Sequence, residues 1–350
     1  MPLIQEDLDL KHREMKASAF TLLRGMFYRW VQHWEALASD PKFDPKLPMQ
    51  RAPRILSIGD LHVENFGTWR DGDSRLCWGI NDFDEAHLFP YTQDLVRLAT
   101  SARLARDDKK LDSEGQDMCA AILQGYSDGL EPGSQPFVLE DRNHWLRELA
   151  QSAAKPPKTF WEEMRGNAHK NALPLTTENS AVRAMLVQEL PLITPQFFTR
   201  QAGVGSLGHP RILALVDWNG GPMVREAKAL APSAAVWADP KQYDPQIRYE
   251  QILKQAVRSP DPTFKPVKSW IVRRLMPSAV KIPLKKLPDE ATELRLLRAM
   301  GRETAHIHKG TAGAADRIKV DLALHDPEWL RLWSKEMAQR IRDDFAAFKK

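Results

Sequence analysis

Cysteine is nearly absent from this 350-residue chain, which has only Cys77 and Cys119. Cys77 sits in an apolar strand-like run and Cys119 in an apolar helical one, so both are expected to be buried and reduced. No stretch approaches eighteen apolar residues, so no membrane-spanning helix is expected. Met1 to Lys16 is charged and lacks the apolar centre of a secretory signal, which predicts a cytoplasmic protein. Basic residues cluster in nothing longer than pairs: Lys109-Lys110, Arg273-Arg274, Lys285-Lys286 and Lys349-Lys350. Each pair reads as a solvated face rather than a nucleic-acid contact. Trp30, Trp78, Trp218, Trp270 and Trp329 are not interleaved with basic runs and are expected in the core, not on a base-stacking platform. Internal repeats and low-complexity segments are also missing.

What remains is an ordinary globular composition, 43% hydrophobic and 27% charged, long enough for two or three lobes. The net charge of +4 suits an anionic ligand without arguing for nucleic acid.

Periodicity divides the chain. Residues 7–38 read as helical, 40–53 as a proline-rich linker, 54–90 as a strand–loop–strand unit, and 93–130 as helix again. The Pro-Gly pair within 130–137 breaks the chain, and 138–190 is mainly helical. Strands are expected at 197–202, 211–218, 223–230 and 269–275, with a hairpin turn at Asn219-Gly220-Gly221. Residues 246–258 read as helix, and so does the chain from Asp289 onward, with a break at 310–313.

The most informative stretch is Gly59-Asp60-Leu61-His62-Val63-Glu64-Asn65-Phe66-Gly67, followed by Asn81-Asp82-Phe83-Asp84-Glu85. Carboxylates brought together at strand ends suit a divalent cation held against a phosphate. Phosphoryl transfer needs a base near the acceptor hydroxyl and ligands for the metal on the phosphates. In kinases the base Asp and a metal-binding Asn lie five residues apart on one loop, the spacing of Asp60 and Asn65. An Asp before an aromatic residue supplies the next metal ligand, as in Asp82-Phe83. Asp60 and His62 are therefore the candidate catalytic residues, and Asn65, Asp82 and Asp84 the candidate metal ligands.

Gly203-Val204-Gly205-Ser206-Leu207-Gly208 is the candidate phosphate cover, through Gly203, Gly205, Ser206 and Gly208. A dinucleotide-binding loop would have to lead into a helix. Here aliphatic residues and a hairpin turn follow, which is the kinase order of strand, glycine loop, strand, turn and strand with a lysine. Lys228 is the candidate lysine, and Glu250 the candidate acid that positions it. An exposed strand lysine and a surface glutamate are the plainer readings of these two.

Gly59-Asp60-Leu61-His62 with Asn65 resembles the loop of the aminoglycoside and choline kinase branch more than that of protein kinases. Asp94 resembles the structural aspartate of that branch, with a helix N-cap as the other reading. The order departs, because the catalytic loop comes before the glycine loop. Leu296 to His308 resembles the helix that precedes the loop in that branch. The resemblance implies an α+β, two-lobed, protein-kinase-like fold, circularly permuted. A small antiparallel β lobe (191–285) would join a larger, mainly helical lobe made of 1–190 and 286–350. Permutation is tolerated where the joined termini lie close on the surface.

The whole chain also resembles a bacterial family known as domain of unknown function 2252. The likeness rests on Lys16-Ala17-Ser18-Ala19-Phe20 with Arg24-Gly25, on both acidic motifs, and on Asp94-Leu95-Val96-Arg97-Leu98-Ala99-Thr100-Ser101. The glycine loop, Lys228, Arg273-Arg274-Leu275 and Ala305-His306-Ile307-His308 extend it. Glu250-Gln251-Ile252 departs from the family's Gly-Gln-Arg helix. The family implies no established reaction.

The motifs lead to the expectation of an ATP- and Mg-dependent phosphotransferase with an unknown small-molecule acceptor and no nucleic-acid or membrane partner. Its rivals are a nucleotidyl transferase, a non-catalytic nucleotide-binding pseudokinase and a dinuclear metal phosphohydrolase. The last would use Asp60-x-His62, Asp82-x-Asp84 and His306-x-His308. It would lack the Gly-Asn-His-Asp/Glu motif and leave the glycine loop idle. For His62, His306 and His308, a hydrogen-bonded loop or helix histidine is the plainer reading.

Overall fold

The computed structural model of the chain describes residues 4–40, 49–174, 176–188 and 194–350. Most of the expected linker, 41–48, lies outside the described residues. The N-terminal helical stretch is three helices: α1 (Gln5–Met15), α2 (Ala19–Gly25) and α3 (Phe27–Ala38). Ser18 caps α2, its Oγ accepting from the Thr21 amide at 3.2 Å. Met26, with φ −132° and ψ 62°, separates α2 from α3.

Four strands follow: β1 (Arg54–Ser57), β2 (Phe66–Arg70), β3 (Leu76–Ile80) and β4 (His87–Pro90). β1 pairs antiparallel with β4, and β2 with β3. The expected strand–loop–strand unit is thus a nested ribbon, and residues 58–65 and 81–86 loop out side by side between its two ladders. The Asn81 amide donates to the Asn65 carbonyl at 3.1 Å across that gap. α4 (Tyr91–Asp107) begins directly after β4, and α5 (Gly115–Leu130) leads to β5 (Phe137–Val138), which pairs with β3. Then come α6 (His144–Ala153), α7 (Pro157–Lys170) and α8 (Thr177–Val187).

A five-stranded antiparallel sheet is built from β6 (Gln196–Thr199), β7 (Arg211–Trp218), β8 (Gly221–Ala229), β9 (Lys265–Val267) and β10 (Trp270–Leu275), in the order β6-β7-β8-β10-β9. Two short helices, α9 (Ala235–Ala238) and α10 (Tyr249–Gln255), lie between β8 and β9. Period-two alternation sorts the sheet's side chains. Leu213, Leu215, Val224 and Leu275 pack with Met164 and Ala168 of α7. Ile212, Ala214, Ala227 and Val272 pack with Val182 and Leu186 of α8. After β10, Val280 joins the sheet to the ribbon: its carbonyl accepts from the Thr68 amide at 2.9 Å, and its amide donates to Thr68 Oγ1 at 3.0 Å.

The chain closes with α11 (Glu290–His308), α12 (Ala314–Leu322) and α13 (Trp329–Lys349). α11 crosses α5 closely at Gly301, where a β-carbon would stand 2.1 Å from the Ile122 carbonyl oxygen. Only glycine permits that approach, which carries the end of α11 to the ribbon. The architecture is mixed α+β, with small antiparallel sheets and many helices. Trp30, Trp78, Trp270 and Trp329 are buried as expected, but Trp218, at the tip of the β7–β8 hairpin, is 39% exposed. Both cysteines are buried and free. Among the described residues, no helix is long and apolar enough to cross a membrane.

Candidate active site

One face of α4 holds the whole 58–63 loop. Asp94 accepts from the Ile58 amide at 2.8 Å and the Gly59 amide at 3.0 Å. One turn on, Arg97 Nε donates to Asp60 Oδ1 at 2.9 Å while its Nη2 reaches the Leu23 carbonyl at 2.9 Å. Ser101 Oγ accepts from the Val63 amide at 3.0 Å. Positions 94, 97 and 101 share a helix face, so three polar side chains on a buried helix act on one loop. Asp94 does not cap α4, whose N-cap is Pro90. It is itself held by His308 of α11, at 2.9 Å from Nε2, and Tyr126 completes that chain at 2.7 Å from Nδ1.

The loop forms one wall of a cavity of about 270 Å³ that also reaches Asn65, Asp82, Asp84 and the glycine loop. Gly205 comes nearest to the loop: a β-carbon there would stand 3.6 Å from Asp60 Oδ2 and 3.0 Å from the Arg24 carbonyl. Gly203 and Gly208 bound the turn with φ of 77° and 99°. Ser206 Oγ is engaged within the protein, accepting from Arg211 Nη2 at 2.6 Å and facing the Ala202 and Gly203 carbonyls. Lys11 of α1 donates to the Gly205 carbonyl at 3.1 Å and ties down the loop's centre.

Lys228, only 4% exposed, donates to Asp82 Oδ1 at 3.2 Å and pairs closely with Asp84. Asp60 and Asp82 line the cavity from the ribbon's two loops, and Lys228, from the five-stranded sheet, reaches its edge through Asp82 and Asp84. The expected partner Glu250 does not take part. Tyr249 and Ile252 turn inward from α10, which leaves Glu250 in solvent, paired with Lys254 at 2.5 Å. Asn65 is buried with Nδ2 on the Asp60 carbonyl at 2.6 Å, which leaves its Oδ1 as an acceptor. His62 Nδ1 accepts from the Glu64 amide at 3.1 Å.

Burial dominates the electrostatics. It raises the Asp60 carboxyl above its ordinary range, outweighing Arg97. Burial also opposes ionisation of Asp82, but Lys228, Arg211 and Lys281 outweigh it and hold that carboxyl below the usual range. Asp84 moves the other way, raised by burial and by the charge of Asp82 beside it. Glu85 is pushed up to about 7, chiefly by burial, although Ser233 Oγ donates to it at 2.7 Å. His62 is driven well below its ordinary value by burial and then by Arg24, so it stays neutral.

Among the described residues, no three His, Cys, Asp or Glu side chains converge so as to hold a metal by themselves. Mg²⁺ characteristically takes one or two carboxylates together with waters and substrate phosphates. Asn65 Oδ1 and the ionised Asp82 beside Asp84 suit that mode. The histidines proposed for a dinuclear centre are used elsewhere. His308 bonds Asp94 and Tyr126, and His306, fully buried, bonds Ser134 at 2.9 Å.

Three residues were given no role from the sequence: Lys11 and Lys281, which line the cavity, and Arg97, which holds Asp60 from α4. For Arg97 a signal existed, since polar residues at 94, 97 and 101 repeat at helical spacing within an apolar run. Lys11 and Lys281 carry no local signal, because only the tertiary fold assembles them.

The model of a family described as "Uncharacterized protein conserved in bacteria (DUF2252)" matches residues 3–196. The chain belongs to this family. The part matched to DUF2252 contains the catalytic-loop candidates, their α4 support and Asp82 to Glu85. The glycine loop, Lys228 and His308 lie beyond it. No curated protein and no solved structure matches this DUF2252 chain.

Proposed function

We propose that this DUF2252 protein is an ATP- and Mg²⁺-dependent phosphotransferase of kinase-like, circularly permuted design, acting on a small-molecule acceptor. The observation that carries the reading is the approach of Gly205 to Asp60 in a cavity where Lys228 reaches Asp82. The strand order supports it as well: the glycine loop joins the first two strands of the sheet and the lysine lies on the third, as in kinases. For the permutation, the support is His308, which brings the end of α11 to the loop from late in the sequence.

In this reading Asp60 accepts the acceptor hydroxyl's proton, and its raised pKa makes it the stronger base. Arg97 fixes the direction of the carboxylate. Asn65 and Asp82 would hold Mg²⁺, which supplies charge neutralisation on the phosphates when bound. Lys228 offers its ammonium to the phosphates, and the glycine loop covers them with backbone amides. The cavity's volume suits a small acceptor.

Calorimetric titration with ATP tests the reading. Binding is expected only with Mg²⁺ present and at least tenfold weaker in Asp82→Asn. A wild-type protein that binds no ATP under either condition would sink it.

A further inference from the structure

Beside the catalytic cavity lies a second one of about 290 Å³. Its charge is one-sided. Arg200, Arg258, Arg273, Arg274 and Lys281 line it, against one acid, Asp261, among the described lining residues. Asp261 Oδ1 already accepts from the Thr263 amide and hydroxyl, both at 2.8 Å.

The floor of this cavity is also short of negative charge. Glu226, fully buried on β8, is shared by three arginines: Arg273 Nε at 2.8 Å, Arg211 at 3.2 Å and Arg200 at 3.6 Å. One carboxylate cannot neutralise three guanidinium groups. Arg258 lies 4.3 Å over the Trp69 ring and donates to the Ile80 carbonyl at 2.9 Å, without an ion pair among the described residues. The side chains of Arg274 and Lys281 likewise make no ion pair among them. Gathering uncompensated cations around a partly closed space is unfavourable unless an anion completes the site.

Lys281 lines both cavities, so they meet at its side chain. The first cavity mixes Asp60, Asp82, Asp84 and Glu85 with Lys11, Arg24 and Lys281, whereas the second is predominantly basic. A ligand spanning the two would have its phosphate end directed to the arginines.

We propose that the second cavity is a phosphate-binding subsite, filled by a phosphate-bearing group that reaches it past Lys281. Arginine forks suit phosphate oxygens, and several converging cations favour a multiply charged anion over a single carboxylate. The phosphate has two possible sources, the nucleotide's own polyphosphate or a phosphate on the acceptor. The inference deepens the transferase reading and rests on it for that source, but not for the binding itself.

The test is calorimetry with inorganic tripolyphosphate, without Mg²⁺ or nucleotide. One-to-one binding is expected, weakened at least tenfold in Arg200→Gln and in Lys281→Gln. The Lys281 side chain makes no ion pair among the described residues, so its loss should leave the melting temperature close to wild type. No binding by the wild type would overturn the subsite, and so would equal binding by wild type and an Arg200→Gln/Lys281→Gln double variant. Repeating the titration with saturating ATP separates the sources. Displacement assigns the subsite to the nucleotide's phosphates, and simultaneous binding assigns it to the acceptor. If tripolyphosphate binds in the arginine-dependent way while ATP does not bind at all, the transferase reading falls and the subsite stands.

Discussion

Gly205 and Asp60 come from different halves of the chain, yet a β-carbon on the glycine would stand 3.6 Å from the carboxylate Oδ2. A β-carbon there would touch Asp60 at van der Waals distance, and any larger side chain would have to displace one of the two. Gly205→Val should therefore push the turn off the loop, with the Arg24 carbonyl at 3.0 Å as the first obstacle. A displacement near 1 Å at a reacting centre costs about 10²-fold in rate. The expected result is that loss in ATP turnover, with water as the acceptor, and a melting temperature close to wild type. Unchanged turnover would show that the glycine loop does not serve the site.

Arg97 is fully buried, stacked 5.0 Å from the Phe27 ring centre and 4.8 Å from that of Trp30, with its fork on Asp60. Removing one partner of a buried pair leaves the other uncompensated, at a cost of about 3–5 kcal/mol. Arg97→Met should lose about that much stability in urea denaturation. Asp60→Asn takes the counter-charge from buried Arg97, so it should also lose stability, though less because its amide oxygen still accepts from the guanidinium, and it should lose about 10²–10⁴-fold in turnover, the usual range for a general base. The double variant should regain part of the stability lost by Arg97→Met alone. An Arg97→Met protein as stable as wild type would remove this residue from the account.

Glu85 gives a pH test. Its carboxyl titrates near 7 in the folded protein, against an ordinary 4.5 when unfolded. The folded state thus binds the proton more tightly. The stability this contributes is complete below about 4.5 and is lost as pH rises through 7. Other groups titrate in the same window, so the readout is a difference. Wild type should lose stability relative to Glu85→Gln as pH goes from 4.5 to 7, followed by thermal melts at half-unit steps. A flat difference would mean that Glu85 is not held protonated.

Glu250 should be dispensable. Its pair with Lys254 is an exposed one between successive helical turns, worth about 0.3–0.5 kcal/mol. Glu250→Ala is expected to leave Mg²⁺-ATP affinity within twofold of wild type. A tenfold loss in calorimetry would restore it as a partner of the site.

Local chemistry decided which features could be read from the sequence. The Asn219-Gly220 hairpin, the long β7 and β8 strands and the two acidic loops each announce themselves within a few residues. The nested pairing of β1 with β4 does not, because alternation alone cannot say which strand joins which. Glu250 misled for a related reason: an acid on the right helix was visible, but not that Tyr249 and Ile252 would take the inward face. The true partners of Lys228, Asp82 and Asp84, were already singled out as metal ligands. Nothing in the sequence near β8 says that its lysine reaches a loop from the other sheet.

The His308–Asp94 contact has a consequence for how the protein is made. Asp94 holds the Ile58 and Gly59 amides, and His308 holds Asp94. A ribosome delivers residues 54 to 107 early, with the loop and its helix already present. The group that finishes the arrangement, His308, lies 214 residues beyond Asp94. The nascent chain therefore carries the 58–63 loop incompletely held until α11 has been released.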